Sequence, residues 1–139
     1  MEKTPFKVII AGSRYVDDYE LLKKKCNIAL SRKLADEKTE VIIVSGTARG
    51  ADTLGERYAR EKGLQVIRVP ALWDVYGRKA GYERNKEMAD IADAVIVFLK
   101  EGLECKGSRM MIEIARFRNL PLKIYEQANN ERNVLWMKR

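Results

Sequence analysis

Short runs of apolar, mostly β-branched residues recur along this chain, separated by stretches whose apolar positions repeat every three or four residues. The runs predict strands, and the run at 41–45 is typical of a strand that is buried on both faces; the helical spacing predicts amphipathic helices between the strands. We expect five strands, over residues 7–11, 41–45, 65–69, 94–99 and 121–125. Strands that alternate with helices define an α/β domain built on a parallel sheet.

Four helical segments connect the predicted strands, ending near residues 34, 62, 92 and 117. The first begins after a capping carboxylate, Asp17 or Asp18, and its apolar stripe runs through Cys26 to Leu34. Cys26 is therefore expected in the core. The stretch 71–81 is the least regular, and its Trp73 either fills the edge of the core or stacks on a base.

Right-handed crossovers favour a doubly wound, Rossmann-like three-layer α/β/α fold with strand order 3-2-1-4-5. That order places a switch point between strands one and four, and a ligand crevice outside the carboxyl ends of the strands there. We expect residues 1–125 to form one domain. Residues 126–139 form a polar tail whose apolar patch, 134–137, either docks on a neighbour or frays.

Three loops that contain glycine and a hydroxyl side chain end up on this edge of the sheet. They are Gly12-Ser13-Arg14, the stretch from Gly46 to Asp52, and Gly107-Ser108. The last two each lead into a helix N-terminus, where free N–H groups and the helix dipole favour a phosphate. A turn that merely needs two glycines is the alternative for 46–52, because neither full glycine fingerprint is present.

The candidate binding residues are Gly12, Ser13, Arg14, Gly46, Thr47, Arg49, Gly50, Asp52, Trp73, Arg84, Asn85, Gly107 and Ser108. Their arginines would neutralise phosphate, and Trp73 or Tyr76 would stack on a base. Asp52 would repel phosphate, so it either caps its helix or accepts a ribose hydroxyl.

Arg84 shares a predicted helical stripe with the apolar residues Met88 and Ile91. A guanidinium that faces inward is costly unless it is paired. Its partner is therefore either a protein carboxylate or an anionic ligand.

The composition limits the kinds of catalysis, metal binding and partners that we expect. The chain has no histidine, which excludes Ser-His-Asp and Cys-His catalysis and any histidine-ligated metal, and we expect no metal site. Its net charge of +7 is spread along the chain and favours anionic partners only weakly. Two cysteines, no apolar run of membrane-spanning length and no signal peptide predict a cytoplasmic protein with reduced thiols.

Between Lys7 and Tyr125 the chain resembles YspA-type (cpYpsA-related) members of the SLOG superfamily. These Rossmann-like domains are related to the lonely-guy phosphoribohydrolases and to the DNA-processing protein DprA. The resemblance rests on the loops named above together with Pro70-Ala71-Leu72-Trp73, Gly77-Arg78-Lys79-Ala80-Gly81 and Arg84-Asn85-Lys86-Glu87-Met88. It implies a ligand site where these loops converge, and relatives in this superfamily often dimerise.

The loop before the last helix departs from the pattern of many relatives. Their Gly-Gly-x-Gly-Thr is replaced here by Glu104-Cys105-Lys106-Gly107-Ser108. The hydrolase glutamate that follows three residues after the Thr corresponds to Met111, and Glu113 lies about 200° further round the helix. The family's catalytic glutamate therefore cannot be carried over to this chain.

We expect a domain that binds a nucleotide or nucleotide derivative as a sensor or carrier, and that forms a homo-oligomer. The first alternative is a nucleoside-monophosphate N-glycosidase with Asp52 or Glu113 as its carboxylate. The second is DprA-like binding of single-stranded DNA. The chain has no recognition motif and no basic stripe with interleaved aromatics, so we expect no nucleic-acid partner.

Overall fold

The structure is a computed structural model that describes residues 2–129. Five strands form one parallel sheet in the order β3-β2-β1-β4-β5, which confirms the predicted Rossmann-like topology. The strands are β1 (Thr4–Gly12), β2 (Thr39–Ser45), β3 (Gln65–Arg68), β4 (Ala94–Lys100) and β5 (Leu122–Gln127).

The helices are α1 (Tyr19–Ala29), α2 (Ser31–Ala35), α3 (Ala51–Lys62), α4 (Trp73–Tyr76), α5 (Ala80–Ile91) and α6 (Lys106–Phe117). Helices α1 and α3 cover one face of the sheet, and α5 and α6 cover the other. None of the helices within residues 2–129 has the length and apolar character needed to cross a membrane.

The central strand β1 is buried on both faces, as its unbroken apolar run predicts. Val8 and Ile10 point into the cluster under α1 and α3, whereas Ile9 and Ala11 point into the cluster under α5 and α6. Cys26 is fully buried among the first group, so its predicted place in the core is confirmed. Burial raises the pKa of the Cys26 thiol to about 12.

The prediction of one helix running to Leu34 is wrong. The chain turns out of helical geometry at Leu30, and α2 follows as a separate short helix. The apolar stripe hides this break, because Leu30 N still donates to Cys26 O and Leu34 N to Leu30 O. Asp18, one of the two predicted caps, accepts from Leu21 N at 3.0 Å.

The stretch 71–81 is more regular than predicted. It forms α4, a single 3-10 turn over Gly77–Lys79, and the start of α5. The side chain of Trp73 is 61% exposed on α4, so the interpretation of this residue as a plug for the core is wrong.

Strand β5 runs two residues past the predicted end of the last strand and includes Glu126 and Gln127. The Gln127 amide oxygen accepts from the backbone N–H groups of Asp17 and Asp18, and its nitrogen donates to the Asp17 carboxylate at 2.7 Å. The last strand therefore fastens the loop that follows β1. The apolar patch 134–137 lies outside the described residues.

Close backbone approaches hold the loops after β1 and β2 together. A Cβ on Gly12 would lie 2.0 Å from Phe98 O in β4. Gly50 has a φ of +77°, and a Cβ there would lie 2.4 Å from Ser13 O. Ala51 N, in the first turn of α3, donates to the same Ser13 carbonyl at 3.2 Å.

We predict that Gly50→Ala destabilises the protein by about 3 kcal/mol or more, since both the positive φ and the contact with Ser13 oppose a side chain. Gly63→Ala is the matched control, because Gly63 also has a positive φ but faces open space. It should cost about 1 kcal/mol. Equal losses for the two variants in urea unfolding would contradict the close packing of the two loops.

Candidate functional site

A cleft of about 500 Å³ opens at the carboxyl edge of the sheet. Its walls come from the loops that follow β1, β2 and β4, which are the three glycine-containing loops identified in the sequence. Helix α5 closes one side. The predicted residues that line it are Gly12, Ser13, Arg14, Arg49, Asp52, Arg84, Asn85, Gly107 and Ser108.

Four predicted residues do not line the cleft. Gly46, Thr47 and Gly50 lie in the loop between β2 and α3, and Trp73 lies on α4. Thr47 has a φ of +64°, a conformation that is unfavourable for a β-branched residue, and its N–H donates to Ser45 Oγ at 3.1 Å. The loop is therefore held in one strained shape.

Arg84 and Asn85 connect the two helix N-termini at the cleft. Arg84 Nη1 donates to Gly46 O at 2.5 Å, and its Nε donates to Asn85 Oδ1 at 3.2 Å. Asn85 Nδ2 in turn donates to Gly107 O at 3.2 Å. This bridge ties the loop before α3 to the first turn of α6.

The partner expected for Arg84 was a carboxylate or an anionic ligand, and its closest partner is instead a main-chain carbonyl. The charge of Asp52 still acts on it. A Cβ on Gly46 would lie 2.8 Å from Asp52 Oδ2 and 2.9 Å from Arg84 Nη1, so the two side chains flank that residue. A side chain on Gly46 would therefore require the Asp52 and Arg84 side chains to move.

Asp52 is a buried carboxyl, with 5% of its surface exposed. Its Oδ2 accepts from Ala48 N at 3.1 Å, so it braces the loop. Burial raises the pKa of this carboxyl to about 6, and the hydrogen bond from Ala48 and the charge of Arg84 offset only part of that effect. At neutral pH the cleft thus contains a desolvated carboxylate, which is common at functional sites.

The first turn of α6 presents free N–H groups to the cleft. Its first intrahelical hydrogen bond runs from Arg109 N to Cys105 O, so the N–H groups before Arg109 precede the helical ladder. Ser108 Oγ donates to Cys105 Sγ at 3.0 Å, and both residues line the cleft. Lys106 adds a positive charge at the same place. This arrangement suits an anion.

Sequence reasoning missed the aromatic residue of the cleft, Tyr15. Its ring is half exposed and lies 5.1 Å from the Arg14 guanidinium, whose Nη2 donates to the Tyr15 hydroxyl at 3.0 Å. Its position directly after Gly12-Ser13-Arg14 was the available signal. Met88 and Met111 also line the cleft, and both belong to the buried cluster under α5 and α6.

The structure does not bring Glu113 to the cleft. Its side chain is exposed on α6 and is not among the lining residues, in keeping with the turn of the helix between Met111 and Glu113. Glu104 lines the cleft instead, where it pairs with Arg109. Within residues 2–129, His, Cys, Asp and Glu side chains form no cluster of three or more that could hold a metal ion.

The fold and the cleft define a Rossmann-like α/β domain with an anion-suited site at its switch point. The sequence profile of the YspA, cpYpsA-related SLOG family matches residues 6–76, which is just over half of the chain. The chain belongs to this family.

One relative is the Gene 61 protein of Mycobacterium phage D29, which is 35% identical over 100 residues, or 66% of this chain and 75% of that protein. Among solved structures, DNA processing protein A (DprA) from Streptococcus pneumoniae matches 85% of this chain with a TM-score of 0.49 and 19% identity. The match spans 58% of the DprA chain.

We predict that Asp52→Asn stabilises the protein at pH 8. The folded-state pKa of Asp52 is raised from 3.8 to about 6, so the folded state holds more protons than the unfolded state between these values. Wild-type stability should therefore fall as pH rises from 4 to 6, by on the order of 2–3 kcal/mol from this group. In urea unfolding, the stability of Asp52→Asn should fall less between pH 4 and pH 6 than that of the wild type. The same pH dependence in both proteins would contradict the raised pKa of Asp52.

Proposed function

We propose that this protein binds a nucleotide or a nucleotide derivative in the cleft, as a sensor or carrier. The observation that carries the proposal is the convergence of two helix N-termini and three unburied cations, Arg14, Arg49 and Lys106, on one cleft. A volume of about 500 Å³ is in the range of small-molecule sites.

Different protein groups at the cleft would bind the phosphate and the base of a nucleotide. Phosphate would bind the first turn of α6 at Gly107 and Ser108, with Lys106 and Arg49 as counter-charges. Arg84 would act as a positioning residue, because its guanidinium is already bound to Gly46 O. Tyr15 replaces Trp73 as the proposed stacking partner for the base, since Tyr15 lines the cleft and Trp73 does not.

Hydrolysis of an N-glycosidic bond is the second candidate function. It needs a carboxylate beside the anomeric carbon, and of the two candidates only Asp52 reaches the cleft. Met111 stands where related hydrolases place their glutamate. We therefore favour binding without turnover, and the experiment below separates the two.

We also propose that the protein acts as a homo-oligomer and has no nucleic-acid partner. The contact expected for self-association, 134–137, lies outside the described residues. The absence of a recognition motif and of a basic stripe with interleaved aromatics in the sequence supports the second part of this proposal.

The test is a thermal-shift screen against AMP, ADP-ribose, NAD, cyclic nucleotides and inorganic phosphate, followed by chromatography of each mixture for free base. A ligand at about 100 times its Kd should add about 2.7 kcal/mol of stability. Arg49→Ala should abolish the shift, because it removes an exposed cation at the cleft.

Arg60→Ala is the matched control, since Arg60 is exposed near the far end of the same helix and outside the cleft. A shift with intact nucleotide supports the sensor or carrier. Release of free base that Asp52→Asn prevents would make the protein a hydrolase. No shift with any compound, or a shift equally lost in Arg60→Ala, would overturn the proposal.

A further inference from the structure

One oxygen of the Asp52 carboxylate has a partner and the other does not. Oδ2 accepts from Ala48 N, whereas Oδ1 has no hydrogen bond to any of residues 2–129. No side-chain oxygen or nitrogen in that part of the chain is both sealed from solvent and unpaired, so Oδ1 keeps some exposure to solvent. Asp52 is 95% buried and lines the cleft, and we take the cleft as the side to which this free acceptor opens.

The chemistry of this acceptor restricts what can lie against it. Phosphate oxygens are excluded by repulsion between like charges, and a ligand acceptor would leave Oδ1 unpaired in a desolvated place. Only a hydrogen-bond donor satisfies it, and a nucleotide has donors in its ribose hydroxyls and in the amino group of its base.

The position of Asp52 between the other groups favours the ribose. Ala51, its neighbour in the first turn of α3, donates to Ser13 O, which places Asp52 beside the loop that leads to Tyr15. On the other side, the Arg84–Asn85 bridge connects this region to the first turn of α6. A ligand with its phosphate at α6 and its base at Tyr15 has its sugar near Asp52.

We propose that Asp52 accepts a hydrogen bond from a ribose hydroxyl and so makes the site selective for ribonucleotides over deoxyribonucleotides. This inference rests on the proposed function and adds a specificity-determining residue and a ligand class to it. A hydrogen bond to a charged group is among the stronger ones, so its loss should be measurable as a change in affinity.

The test is isothermal titration of the full chain with AMP, 2′-deoxy-AMP and 3′-deoxy-AMP, with chromatography to show that each nucleotide stays intact. Wild-type protein should bind AMP at least tenfold more tightly than one of the two deoxynucleotides. Asp52→Asn should weaken AMP binding to the level of that deoxynucleotide and leave the latter nearly unchanged. Asp74→Asn, an exposed carboxylate on α4 outside the cleft, should behave as wild type.

Equal affinity of wild-type protein for all three nucleotides would overturn the inference and leave the proposed function standing. A preference for AMP over the deoxynucleotides that survives in Asp52→Asn would also overturn the inference. The same holds if purine riboside monophosphate, which lacks the amino group of AMP, binds as weakly as the deoxynucleotide. If folded wild-type protein binds none of these nucleotides, the inference is overturned. If it also binds no compound in the thermal-shift screen, the proposed function is overturned as well.

Discussion

The cleft depends on the bridge that Arg84 and Asn85 make between two carbonyl groups, Gly46 O and Gly107 O. Gly46 lies in the loop before α3, and Gly107 lies in the first turn of α6. The bridge fixes the spacing of the two helix N-termini, and it occupies the arginine that the sequence pattern suggested as a phosphate ligand.

The second constraint is the burial of Asp52 beside this bridge. A desolvated carboxylate works against the stability of the domain at neutral pH, because its pKa is raised to about 6. A purely structural brace for Ala48 N could be an asparagine, which would accept the same hydrogen bond without the charge. A charged acceptor with one unpaired oxygen at this place fits the ligand role that we propose for Asp52.

The fold could be predicted from the sequence almost completely. Five strands, four main helices and one sheet edge for the three loops follow from local patterns and from the handedness of crossovers. The errors have physical causes: the turn at Leu30 preserves the helical stripe, and Trp73 is apolar yet exposed. For the candidate site, the sequence indicates the three loops and the α5 residues Arg84 and Asn85, but not how the side chains are paired. Which oxygen of Asp52 is free, and that Arg84 binds a carbonyl, depend on side-chain positions that periodicity does not encode.

The most direct test of the account is an NMR titration of ¹⁵N-labelled protein with AMP. The account predicts that the largest amide shifts fall on the three loops around the cleft, at Gly12 to Tyr15, at Asp52, and at Gly107 and Ser108. Small shifts are expected at the opposite end of the sheet, for example at Ile28 and Leu122. Shifts centred on that end, or on α4 around Trp73, would contradict the assignment of the cleft as the nucleotide site.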